Sequence, residues 1–132
     1  MTGVRKLVLI LTTMLGLGAC VNAQDNKRYD DMDVREFAKF LTNGDVQLLD
    51  VRTPSEYTEG HIAGAENIDI YDDSFISQAI ESLDKAKPVA VYCRSGKRSA
   101  EAAGRLAEKG YKVTNLEGGI IAWTEANKPI EK

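Results

Sequence analysis

The chain has 132 residues, with 17 Lys and Arg against 20 Asp and Glu and a net charge of −3. That length suits one domain with a single modest core that needs no disulfides, and the mildly acidic balance argues against nucleic acid as the main partner. Only two cysteines, Cys20 and Cys93, and one histidine, His61, are present.

In chain order, the first 19 residues read as an export signal rather than as part of a fold. Arg5 and Lys6 make a short positive region, and Leu7 to Ala19 is an apolar run of 13 residues, too short to span a bilayer comfortably. Two processing patterns stay open. Leu17-Gly18-Ala19-Cys20 has the form of a bacterial lipoprotein box, in which Cys20 takes lipid and becomes the mature amino terminus. Val21-Asn22-Ala23 before Gln24 has the small residues of ordinary signal-peptidase cleavage. Either pattern places the protein in the periplasm, or on a membrane facing the periplasm or the cell surface. Loss of Arg5 and Lys6 leaves 15 basic against 20 acidic residues, a net charge of −5. Residues 20–28 are polar and read as a tether, and the folded domain is expected over 29–132.

Within that domain, Asp33 and Glu36 form a capping box ahead of Val34, Phe37, Ala38 and Leu41, which predicts a helix ending at Gly44. Val46 to Val51 is a short apolar run, read as a buried strand. Thr53-Pro54 is an N-cap followed by proline at the first helical position. Ala65 to Ile70 reads as a further strand, Phe75, Ile76, Ala79, Ile80 and Leu83 as an amphipathic helix, and Val89 to Tyr92 as a strand leading to Cys93. A helix follows from about Ser99 to Glu108, with Gly110 as its C-cap, then a strand over Lys112 to Leu116 and a helix over Ile120 to Ala126. Strands alternating with helices predict an α/β fold, an open, mostly parallel sheet with helices on both faces. Ligands in such folds sit beyond the carboxyl ends of the strands, where Cys93 lies.

Cys93-Arg94-Ser95-Gly96-Lys97-Arg98 therefore sits between a strand and a helix. Loop amides, the unpaired N–H groups of the next helix and three cationic side chains are expected to converge on one sulfur and favour its thiolate. Cys20 is either lipidated or cut away, so Cys93 stands alone in the mature chain and forms no internal disulfide. A merely structural thiol is an odd choice for an oxidising compartment, where it risks over-oxidation.

Cys93-Arg94-Ser95-Gly96-x-Arg98-Ser99 resembles the active-site loop of the rhodanese sulfurtransferases. Leu49-Asp50-Val51-Arg52, Glu56-Tyr57, Gly60-His61-Ile62-Ala63-Gly64-Ala65 and Asn67-Ile68 are similar to that family's amino-terminal signature. Leu116-Glu117-Gly118-Gly119 with Trp123 is similar to its carboxy-terminal one. The similarity spans about residues 29 to 130 in order. It implies a rhodanese-like domain with a five-stranded sheet, in which Cys93 takes the outer sulfur of a donor such as thiosulfate. The resulting persulfide passes its sulfur to a thiol, to cyanide or to an acceptor protein. The resemblance also implies a role for Asp50 and Arg52 around the active site.

Convergent N–H donors and nearby cations can hold a large, singly charged persulfide without metal or organic cofactor. Arg94, Ser95, Gly96, Lys97 and Arg98 are the expected substrate-binding residues, with Arg94 and Lys97 at the mouth and Arg98 closing the loop, anchored rather than free. Asp50 is expected to pair with Arg98 or a loop amide, and Arg52 with Glu56. His61 reads as a hydrogen-bonded structural residue and Trp123 as core. A monomer is expected. Cysteine-dependent phosphatases also use such loops, but with five residues between Cys and Arg; here there are four, a narrower cradle better suited to one sulfur than to a phosphoryl group. A non-catalytic persulfide carrier or a redox-sensing or binding module is the remaining alternative.

Overall fold

A computed structural model describes residues 27–132. The expected signal segment, Cys20 and most of the expected tether lie outside the described residues. Ten elements alternate along the chain: β1 Asp30–Met32, α1 Val34–Phe40, β2 Gln47–Asp50, α2 Pro54–Glu59, β3 Glu66–Asn67, α3 Phe75–Ser82, β4 Val89–Tyr92, α4 Lys97–Glu108, β5 Val113–Leu116 and α5 Gly119–Glu125. The strands form one sheet in the order β1-β5-β4-β2-β3, every pairing parallel.

β4 lies at the centre, and Val89-Ala90-Val91-Tyr92 is wholly buried, as a continuous apolar run covered on both faces must be. Its side chains alternate between two cores. Val89 and Val91 pack with Phe75 and Ala79 of α3 and with Ala102, Ala103 and Leu106 of α4. Ala90 and Tyr92 pack with Phe37 of α1 and with Ile120 and Trp123 of α5. Cys93, one residue past the strand, keeps the phase of Val89 and Val91 and joins the first core. That phase aims its thiol at the start of α4.

Several boundaries differ from the sequence pattern. β1 has no apolar run to announce it. It is a three-residue edge strand, Asp-Asp-Met, held by β5 and by a bond from Asn115 Nδ2 to Asp31 Oδ1 at 3.0 Å. The strand expected over 65–70 shrinks to Glu66–Asn67, although the Ile68 and Ile70 amides still reach the carbonyls of Asp50 and Val51. α1 stops at Phe40, ahead of Gly44, because short-range bonds from Thr42 to Lys39 and from Asn43 to Phe40 turn the chain. The capping boxes at Asp33/Glu36 and Thr53/Glu56 are both formed, with Pro54 in the first turn of α2. α4 starts at Lys97, two residues earlier than the pattern indicated, for a reason that lies in the site itself.

Candidate active site around Cys93

Cys93 is only 1 % exposed. The Gly96 amide donates to its Sγ at 3.1 Å and the hydroxyl of the buried Ser99 at 3.4 Å. Gly96 is the N-cap residue of α4, in the left-handed region at φ +104, and has no side chain with which to cap. The sulfur stands in for the missing cap oxygen, facing the N–H groups that a helix leaves unpaired at its start. This is why the helix can begin at Lys97. Burial pushes the thiol up, but the Ser99 hydroxyl and the amides of Ser99, Gly96 and Ser95 outweigh it and hold Cys93 below the ordinary thiol range.

These donors are neutral, which corrects the expectation of three converging cations. Arg94 and Lys97 are exposed. Arg98 is anchored, its two terminal nitrogens forking onto the Glu56 carboxylate at 2.8 and 2.9 Å. That fork, helped by bonds from Thr53 and opposed by burial, holds Glu56 at about 2. The Arg98 charge also interacts with Cys93, so Arg98 supports the site from a fixed position.

The loop is clamped from behind by α5. The Ile120 and Ile121 amides, in the first turn of that helix, donate to the carbonyls of Cys93 at 2.9 Å and Arg94 at 3.2 Å. Both carbonyls are thereby tied to the helix behind the loop. The approach requires Gly119, at φ +61: a Cβ there would lie 2.6 Å from the Cys93 oxygen and closer still to the Arg94 carbonyl. Gly96 meets the same turn, and a Cβ on it would lie 3.3 Å from the Gly118 amide.

Asp50 and Arg52 occupy the other face of the sheet. Alternation along β2 puts Asp50 with Leu48 rather than with the Cys93 side, so it pairs with Arg52, not with Arg98 or a loop amide. Arg52 donates to it through Nε at 3.0 Å and Nη2 at 2.6 Å, and Nη2 reaches the Gly60 carbonyl at 2.8 Å. The expected Arg52–Glu56 pair is replaced in the same way, because Glu56 belongs to Arg98. Both Asp50 and Arg52 are buried, so removing either would strand a charge in the interior. His61 is a structural residue: it stacks on Tyr57 at 3.8 Å, places Nδ1 2.9 Å from the Tyr57 carbonyl, and exchanges two backbone bonds with Glu131. Trp123 packs edge-on against Phe37 and donates Nε1 to the Pro129 carbonyl.

Cys93 is thus a buried thiol under a helix N-terminus at the carboxyl edge of a parallel sheet. The family model for the rhodanese-like domain matches residues 33–126. The chain belongs to the rhodanese-like family. A sulfurtransferase of Allochromatium vinosum is 41 % identical over 87 residues, covering 65 % of this chain and 78 % of that protein. The thiosulfate sulfurtransferase GlpE of Shewanella oneidensis is 32 % identical over 100 residues, covering 75 % and 96 %. Among solved structures, a rhodanese-related protein of Thermoplasma volcanium superposes with a TM-score of 0.69 at 32 % identity, covering 78 % of this chain and 98 % of that one. Its homologues thus support a sulfurtransferase-family role for this rhodanese-like domain.

Three contributors to the site were not singled out from the sequence. Ser99 stood in the loop motif but read as the start of a helix. Gly118-Gly119 stood in the carboxy-terminal motif without a stated task. Asn67 proves to tie the end of β2, its Nδ2 donating to the carbonyls of Asp50 at 3.0 Å and Arg52 at 2.9 Å.

Proposed function

We propose that this rhodanese-like domain is a sulfurtransferase that moves sulfane sulfur from a donor such as thiosulfate, through a persulfide on Cys93, to a thiol or cyanide acceptor. The observation that carries this reading is the Sγ of Cys93 accepting hydrogen bonds from the Gly96 amide and the Ser99 hydroxyl at the start of α4. The thiolate attacks the outer sulfur of thiosulfate. A bond forms between Sγ and that sulfur, the sulfur–sulfur bond of the donor breaks, and its electron pair leaves with sulfite. An acceptor thiolate or cyanide then attacks the outer sulfur of the persulfide, and the electron pair of the breaking bond returns to Sγ. Both enzyme forms carry one negative charge, which the same N–H and O–H donors suit.

The test is the intact mass of the mature protein after exposure to thiosulfate. One added sulfur atom, removable by cyanide and absent from Cys93→Ser, is expected. A protein that gains no sulfur, or a Cys93→Ser variant that keeps thiosulfate:cyanide turnover, would overturn the covalent route. Efficient hydrolysis of an aryl phosphate by the unmodified chain would promote the phosphatase alternative instead.

A further inference from the structure

Tyr71 is 69 % exposed, the most exposed large apolar side chain among the described residues, and belongs to neither core cluster. Single exposed aromatics are ordinary on protein surfaces. This one is held in place and sits next to the site. It follows the segment in which the Ile68 and Ile70 amides bond to the carbonyl end of β2, so it emerges at the same edge of the sheet as Cys93. Its own amide bonds to Asp69 Oδ1 at 2.9 Å, and the Asp72 amide bonds to the Asp69 carbonyl at 3.0 Å. Buried Ile70 and Phe75 fasten the turn on either side.

The guanidinium of Arg98 stands over the Tyr71 ring, with Cζ 5.6 Å from its centroid. Arg98 is fixed by Glu56 and interacts with the charge of Cys93, so one anchored cation links the ring to the reactive sulfur. The turn that carries Tyr71 also carries three acidic residues, Asp69, Asp72 and Asp73, the last two exposed. Asp72 is kept ionised by bonds from the Ser74 amide and hydroxyl at 2.9 and 2.8 Å. The catalytic loop itself carries exposed Arg94 and Lys97. The catalytic loop is thus basic, whereas the turn that reaches it through Arg98 is acidic. The basic loop suits a small anionic donor. The Tyr71 turn offers an exposed aromatic ring on an acidic segment, which suits cations and peptide N–H groups.

We propose that Tyr71 is a specificity-determining residue for the acceptor half of the reaction, favouring a cysteine thiol carried on a cationic peptide. The proposal rests on the sulfurtransferase reading of Cys93. To test it, the mature protein is loaded with thiosulfate, freed of excess donor and mixed with one of two cysteine peptides. One has lysines flanking the cysteine and the other has glutamates. Loss of the added sulfur is followed by intact mass, with loading by thiosulfate measured alongside so that misfolding would show as a loss of both. The wild-type protein should discharge to the lysine peptide about tenfold faster than to the glutamate peptide, the combined effect of a cation–aromatic contact at an exposed ring and of attraction to, or repulsion from, the acidic turn. Tyr71→Ala should cut that ratio to about threefold or less, and Tyr71→Phe, which keeps the ring, should preserve it. Equal rates for the two peptides with wild-type protein, or an unchanged ratio in Tyr71→Ala, would overturn the assignment of Tyr71. Failure of thiosulfate to load Cys93 would overturn the sulfurtransferase reading itself, and this proposal with it.

Discussion

Replacing Gly119 by alanine tests whether α5 holds the catalytic loop. An L-residue in the left-handed region, where Gly119 sits at φ +61, costs about 1–2 kcal/mol. The new Cβ would also meet backbone, lying 2.6 Å from the Cys93 oxygen with the Arg94 carbonyl nearer still, and a carbonyl cannot swing aside as a flexible side chain can. Relief requires the helix and loop to part, which breaks the bonds from Ile120 to Cys93 and from Ile121 to Arg94, each worth about 1 kcal/mol. The sum is about 3–4 kcal/mol, large for one methyl group. Gly104 is the control: it lies inside α4 with nothing within 4 Å of an added Cβ, so Gly104→Ala should stabilise by about 0.5–1 kcal/mol. Urea unfolding gives the stabilities. Sulfur loading from thiosulfate, measured where each variant is folded, gives the effect on the loop. Gly119→Ala within about 0.5 kcal/mol of wild type, loading at the wild-type rate, would refute the clamp.

Three further outcomes follow from the same contacts. Ser99→Ala removes a donor to Sγ inside the core, so the thiol should rise and alkylation of Cys93 at mildly acidic pH should slow; removing the charges of Arg94 and Lys97 together should move the alkylation profile less. Glu56→Gln keeps the capping-box geometry but loses the charge that Arg98 grips. Because the folded-state value of Glu56 is depressed from 4.5 to about 2, the stability gap between wild type and variant should be full above about pH 4.5. It should close as pH falls through about 2, as read by urea unfolding across that window; a gap independent of pH would contradict the pairing. For the segment before residue 27, lipid on Cys20 predicts that the full chain expressed in a bacterium fractionates with membranes and that Cys20→Ser releases it, whereas a soluble protein beginning at Gln24 would show ordinary cleavage.

What the sequence made legible follows from which physical signals are local. The alternation of strands and helices, the capping box at Asp33/Glu36 and the N-cap at Thr53 rest on neighbours within four residues, and these were readable; the return bond from Glu56 that completes a second box at Thr53 was not. The position of Cys93 between strand and helix was readable too. β1 was not, because Asp30-Asp31-Met32 owes its conformation to β5, more than 80 residues away, and carries no apolar pattern of its own. The ion pairs were misassigned for the same kind of reason. Asp50, Arg52, Glu56 and Arg98 offer several pairings by charge alone, and only the phase of β2 and the position of α2 decide that Asp50 takes Arg52 and Glu56 takes Arg98. The task of Gly118-Gly119 depends on a contact between two loops that are distant in sequence.

The choice of neutral donors for the sulfur bears directly on its chemistry. A cation in contact with Cys93 would lower the thiol further, but it would also bind the thiolate tightly and weaken it as a nucleophile, since nucleophilicity falls as the thiol pKa falls. Here the Arg98 charge interacts with the site while its guanidinium is gripped by Glu56, and the near contacts are an amide and a hydroxyl. Such a cradle offsets the cost of burying one negative charge and little more. On the proposed reaction the thiolate and the persulfide are both monoanions, so the cradle serves both without rearranging. A phosphoryl intermediate would bring additional charge and three equatorial oxygens to a loop whose backbone is clamped from behind at Cys93 and Arg94. With four residues between Cys93 and Arg98, the Arg98 guanidinium is already committed to Glu56 and does not open its fork to those oxygens. The same contacts that favour sulfur therefore argue against phosphate.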